Sequence, residues 1–119
     1  MSWIGVDLDG TLAKYDGYCG PLHIGDPVPE MVARVQQWLA DGIKVKVFTA
    51  RVYADPSDSE RMTEVLQARK AIVDWCKRHI GVELEVTCTK DYGMWQLWDD
   101  RAVRVVANTG KPCCEEHSS

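Results

Sequence analysis

The sequence predicts an α/β fold built on a mainly parallel sheet flanked by helices. Short apolar runs alternate with two longer helical patterns in the order β-α-β-α-β-β-β, and helices lying between strands are the crossovers that parallel pairing requires. The first run, Trp3-Ile4-Gly5-Val6, is apolar throughout and ends in acidic residues, which suits a strand buried on both faces. Apart from Gly5, glycines and prolines fall between the periodic segments, where they act as punctuation.

After the first strand, Asp7 to Gly25 is rich in glycine and polar residues and too broken for a helix. Pro27 and Pro29 introduce a helix in which Met31, Val32, Val35, Trp38 and Leu39 recur at helical spacing, with Gly42 as its stop. Ile43 to Phe48 is a second strand, its Val45 and Val47 flanked by lysines. Ser57 and Glu60 match a capping box for a second helix reaching about Arg78. That helix carries Met62, Val65, Leu66, Ile72, Val73 and Cys76 on one face, and Gly81 ends it. Leu84 to Thr87, Gln96 to Trp98 and Ala102 to Val106 complete a Rossmann-like sheet of five strands. Residues 1–107 form the expected domain; the aperiodic stretch 108–119 is expected to be a loose tail.

Composition narrows the functional classes. The 119 residues allow one domain, and 45% hydrophobic with 27% charged residues is ordinary globular content. Lys and Arg total 14 against 18 Asp and Glu, for a net charge of −4, which disfavours tight sequence-independent binding of nucleic acid. The five cysteines are an odd number without framework spacing and read as reduced thiols. No leader pattern opens the sequence, and no apolar stretch approaches the roughly 20 residues of a membrane span. A soluble, cytoplasmic protein with no membrane partner is expected.

Ligands of open parallel sheets bind beyond the carboxyl ends of the strands. Strand one ends in Asp7-Leu8-Asp9-Gly10-Thr11, strand two in Thr49-Ala50-Arg51 and strand four in Asp99-Asp100-Arg101, while Lys90 follows strand three. Clustered carboxylates stay ionised together only around a cation, and a dense set of oxygen ligands favours Mg²⁺ completed by substrate phosphate oxygens. Such a cation, with donors such as Thr49 and Lys90, lets an anionic nucleophile approach a phosphoryl group. Asp7 could then attack phosphorus, and Asp9, displaced from it by the tight turn, could protonate the leaving oxygen and later accept a proton from water.

Asp7-Leu8-Asp9-Gly10-Thr11-Leu12 behind an apolar strand resembles the first motif of the haloacid dehalogenase superfamily of phosphatases. Thr49 resembles its second motif, Lys90 its third, and Asp99-Asp100 its fourth, so the likeness spans residues 3 to about 106 in family order. It implies a phosphomonoester hydrolase working through an aspartyl-phosphate on Asp7. Asp9 is its acid and base, Asp7, Asp9, Asp99 and Asp100 its Mg²⁺ set, and Thr49, Ala50, Arg51 and Lys90 its substrate phosphate contacts. The second aspartate, Asp9, points away from carbon–halogen cleavage and ion pumping. The gaps Ala13 to Pro27 and 57–78 leave no room for the family's cap domains, which favours hydrolysis over mutase chemistry and leaves an open site. A homo-oligomer is one way to cover such a site.

Thr49-Ala50-Arg51, Arg61-Met62, Trp75 and Asp99-Asp100-Arg101 are also similar to the 3′-phosphatase domains of polynucleotide end-healing enzymes, which would make a nucleic-acid end the substrate and Arg51 a phosphate ligand or a brace for the acidic residues. Tyr18 stands where those enzymes place an arginine, and Asp91 follows Lys90 where the family often has proline. A phospho-ligand binding module on the same fold, or a transferase, is the alternative from another class. Taken alone, Asp7 and Asp9 could be a solvated turn, Thr49 a strand end, and Arg51 and Arg101 local salt-bridge partners. Cys113, Cys114 and His117 lack the four spaced ligands of a structural metal site. Trp38 and Trp75 read as core, leaving Trp95 as the tryptophan expected to touch substrate.

Overall fold

The computed structural model describes residues 2–113. They form strand β1 (Trp3–Asp7), helix α1 (Pro29–Ala40), strand β2 (Lys44–Phe48), helix α2 (Ser59–His79), strand β3 (Glu85–Thr87) and strand β4 (Met94–Trp98). All strand pairs are parallel, in the order β3-β2-β1-β4, so β1 is central and its carboxyl end opens between β2 and β4.

The sheet has four strands rather than the five expected. Ala102 to Val106 does not join it: Val105 makes an isolated antiparallel bridge with Pro112, closed by Val106 N–H to Lys111 O at 2.8 Å. Asn108 and Gly110, both at positive φ, turn the backbone between them. Pairing with a neighbour a few residues away closes a far shorter loop than joining the sheet edge would, and so costs less chain entropy. Of the stretch expected to be a tail, residues 114–119, including Cys114 and His117, lie outside the described residues.

Period-two alternation sorts the strand residues. Ile4, Val6, Val45, Val47 and Val86 share one hydrophobic core with Val32 and Val35 of α1 and Val65, Ile72 and Cys76 of α2, so both helices cover the same face. The opposite face, expected to carry helices too, has none among the described residues. The short 88–93 connection crosses it, held where Trp3 Nε1–H donates to Asp91 and Trp3 N–H to Gly93 O, each at 2.8 Å.

Two local expectations need correction. Helix α2 is capped by Asp58, whose carboxylate accepts the Arg61 N–H at 3.0 Å, while Ser57 donates its N–H and O–H to Asp55. The buried face of α2 runs through Val65, Ala68, Ile72, Trp75 and Cys76, a stripe at 3.6-residue spacing that leaves Leu66 65% exposed. Burial pushes the Cys76 thiol up to about 12, and the described cysteines are free thiols. No described helix is long and apolar enough to cross a membrane.

The 14–26 loop is tied down where it leaves and rejoins the core. Lys14 N–H donates to Asp26 O at 2.8 Å, Ala13 bridges Pro27, and Trp75 Nε1–H donates to Gly25 O at 3.0 Å. A Cβ at Gly25 would stand 2.0 Å from the Lys14 carbonyl oxygen, a backbone atom with no freedom to retreat. Gly25→Ala is therefore expected to cost about 2 kcal/mol. A thermal melt indistinguishable from the parent protein would show that the loop base tolerates the methyl.

Candidate active site

The carboxyl ends of β1, β2 and β4 meet at an open cleft of about 730 Å³. Its floor holds Asp7, Asp9, Thr49, Ala50, Arg51, Asp99 and Asp100, so seven of the eight residues singled out in the sequence come together. Lys90 does not. It is exposed in the 88–93 connection, which the Trp3–Asp91 hydrogen bond draws toward the amino end of β1, and it does not line the cleft. Trp95 is likewise outside the cleft, 63% exposed at the register shift where β4 pairs with Trp3 and Ile4.

Tight folding of the chain after β1 separates the two motif aspartates. Leu8 and Leu12 are fully buried, and the N–H groups of Leu12 and Ala13 both return to Leu8 O, at 3.0 and 2.9 Å. Gly10 sits at φ +91°, and a Cβ there would lie 2.5 Å from the Asp100 carboxylate. Glycine thus serves both the turn and the approach of the β4 end.

The expected cation set divides in two. Carboxylate oxygens of Asp7, Asp99 and Asp100 lie within 4.8 Å of one another, whereas the Asp9 side chain faces Arg51. Two of the three are anchored: Thr11 Oγ1 donates to Asp100 Oδ1 at 3.3 Å and accepts the Asp100 N–H at 3.1 Å, and Asp99 Oδ1 accepts the Arg101 N–H at 2.8 Å. Trp98, just before them, packs edge-on against Trp38 of α1 with ring centroids 5.1 Å apart, which fixes the end of β4 to the helix layer.

Arg51 is 9% exposed and serves three elements. Its Nε and Nη2 donate to Asp9 at 2.7 and 2.9 Å, and its Nη1 donates to His23 O at 2.8 Å. Its backbone N–H donates to Thr49 Oγ1 at 3.2 Å. Of the two roles its position suggested, the brace on an acidic residue is the one observed. Sequence reasoning did not assign Tyr15, Pro21, Glu64 and Arg61 to the site. Arg61 donates to Tyr53 O, Arg51 O and Glu64, and only the i, i+3 spacing of the last pair is visible in the sequence.

Burial, a hydrogen bond with Asp100 and the nearby charges of Asp99 and Asp100 raise the Asp7 carboxyl from 3.8 to about 7. The cluster is thus a site of stored repulsion unless a cation or proton enters it.

No family model and no curated protein matches the sequence. Among solved structures, a conserved protein coded by a locus from Bacteroides thetaiotaomicron is similar, at 20% identity and a TM-score of 0.50. The likeness covers 84% of this chain and 76% of that one. At that identity it speaks for the α/β fold alone.

Two outcomes follow from the charge arrangement. A carboxyl raised in the folded state favours folding below its unfolded value of 3.8 and opposes it increasingly as pH rises to about 7. In metal-free buffer, Asp7→Asn should therefore raise the melting temperature at pH 8, with the gain vanishing near pH 3.5; an equal effect at both pH values would contradict the repulsion. For Arg51, a double-mutant cycle of Arg51→Ala with Asp9→Ala should return a coupling of about 2 kcal/mol or more, with the single Arg51→Ala the more damaging change because it strands a half-buried carboxylate. Additive effects would mean the pair is not energetically joined.

Proposed function

We propose that the protein is a Mg²⁺-dependent phosphomonoester hydrolase of the haloacid dehalogenase kind that its motifs resemble. The observation that carries this reading is the convergence of Asp7, Asp99 and Asp100 beside Thr49, with Asp9 held separately at the same mouth. Three hard oxygen donors this close fit a divalent cation, and anchoring of Asp99 and Asp100 by Arg101 and Thr11 suits them as ligands. When bound, Mg²⁺ would neutralise the cluster and polarise a phosphoryl oxygen.

The remaining chemistry falls to the chain's own groups. An Asp7 oxygen attacks phosphorus, a P–O–Asp bond forms, and the ester P–O bond breaks. The departing oxygen takes a proton from Asp9. Water then attacks the aspartyl-phosphate, gives its proton to the Asp9 carboxylate, and inorganic phosphate leaves. Thr49, at the end of β2, offers its hydroxyl to the transferring group. Both Asp9 oxygens already accept Arg51 N–H groups, so delivering a proton requires Asp9 to exchange one of those contacts for it.

That last feature favours one second reading. With Asp9 locked by Arg51 and Lys90 away from the cleft, the site also suits a module that binds a phosphorylated ligand without turning it over. The test separates the two. Wild-type protein with Mg²⁺ is expected to release phosphate from 4-nitrophenyl phosphate. Chelation should abolish release, and Asp7→Asn should lower it by at least about 10³-fold, the scale of losing a covalent nucleophile. Mg²⁺ should also raise the melting temperature of the wild type and not that of Asp7→Asn. Mg²⁺-dependent binding of phosphate without turnover would select the binding module.

A further inference from the structure

The cleft walls are unequal in a way that bears on which ester is cleaved. Tyr15 and Tyr18 project into it from the 14–26 loop and remain 48% and 56% exposed, although large aromatic side chains gain most by burial. Their loop is held at its base by the Lys14–Asp26 and Trp75–Gly25 hydrogen bonds and in its middle by Arg51 to His23 O. The Arg51 guanidinium also lies 5.6 Å from the Tyr18 ring centroid, which orients that ring from one side and leaves the other available. The polar groups across the cleft are already committed: Arg61 is paired with Glu64 at 2.9 Å, and Arg51 with Asp9. A polyol leaving group would therefore meet few free partners for its hydroxyls, and a polyanionic strand few unpaired cations. A flat ring would meet two aromatic faces.

We propose that Tyr15 and Tyr18 form a stacking subsite for an aromatic ring on the leaving group, making the substrate a small ring-bearing phosphomonoester such as a mononucleotide or an aryl phosphate. This rests on the hydrolase reading and names its substrate class. The cleft volume of about 730 Å³ holds a ligand of that size. Stacking of one ring on an aromatic side chain is worth a factor of about ten in affinity or more.

The experiment measures kcat/KM for 3′-AMP, 5′-AMP, 4-nitrophenyl phosphate, glycerol 3-phosphate and an oligonucleotide with a 3′-phosphate. In the wild type, 4-nitrophenyl phosphate and at least one AMP isomer should exceed glycerol 3-phosphate by about tenfold or more. Tyr18→Leu and Tyr15→Leu should collapse that ratio through KM. Which of the AMP isomers and 4-nitrophenyl phosphate leads distinguishes a nucleotide source from an aryl one. Phosphate release from all substrates without a ring preference overturns the subsite and leaves the hydrolase reading standing; a dominant oligonucleotide rate, insensitive to both tyrosine changes, overturns it in favour of a nucleic-acid end. Calorimetric binding of AMP and glycerol 3-phosphate to Asp7→Asn with Mg²⁺ decides the matter without turnover. Tighter binding of AMP, weakened about tenfold by Tyr18→Leu, supports the subsite, and equal affinities overturn it even if no substrate is hydrolysed.

Discussion

The Arg51 guanidinium donates to both oxygens of Asp9 and to the carbonyl of His23, while its own N–H is held by Thr49, so the turn after β1, the end of β2 and the 14–26 loop converge on one buried cation. A bidentate fork is rigid, and a lysine at this position could not replace it. Leu8 and Leu12 in the core hold the turn from below, so Asp9 and Arg51 meet because each is fixed by packing as well as by charge. The mouth of the cleft takes its shape from that meeting.

Beside this satisfied pair lies an unsatisfied group. Asp7, Asp99 and Asp100 share a small volume with no basic side chain bonded to any of them among the described residues, and Asp7 bears the resulting burden as a raised affinity for a proton. One mouth therefore holds two carboxylate environments, one matched by a guanidinium and one awaiting positive charge. Sites that separate acid and base roles between neighbouring carboxylates are built on such differences of surroundings.

How far the sequence reveals this depends on the range of each interaction. Strands β1 and β2, both helices and the gathering of Asp7, Thr49 and Asp99 at one sheet edge are legible, because apolar periodicity and the crossover rule act over a few residues at a time. The fifth strand was illegible as a local hairpin, since Val103, Val105 and Val106 have strand propensity whichever partner they find. Leu66 illustrates a phase error: at 65% exposure it lies beside the buried stripe, where hydrophobicity alone does not say which side of Val65 faces inward. The Arg51–Asp9 pair joins residues 42 apart, and no pattern within either segment announces it. Lys90 is displaced from the cleft by a contact equally remote, between Trp3 and Asp91.

The strand order also has a kinetic consequence. Helices α1 and α2 and strands β1 to β3 are assembled from neighbouring crossovers, but β4 docks on the far side of β1 and brings Asp100 to Thr11 across 89 residues. Contacts of such separation form late, because a long loop must close before they return any energy. The acidic cluster is thus completed by the last piece of sheet to arrive, at an edge bonded on one side only. Opening of that edge would dissolve the cluster while the β1–β2–β3 body stays folded, so the chemistry of the mouth can be lost by a smaller fluctuation than the one that unfolds the chain.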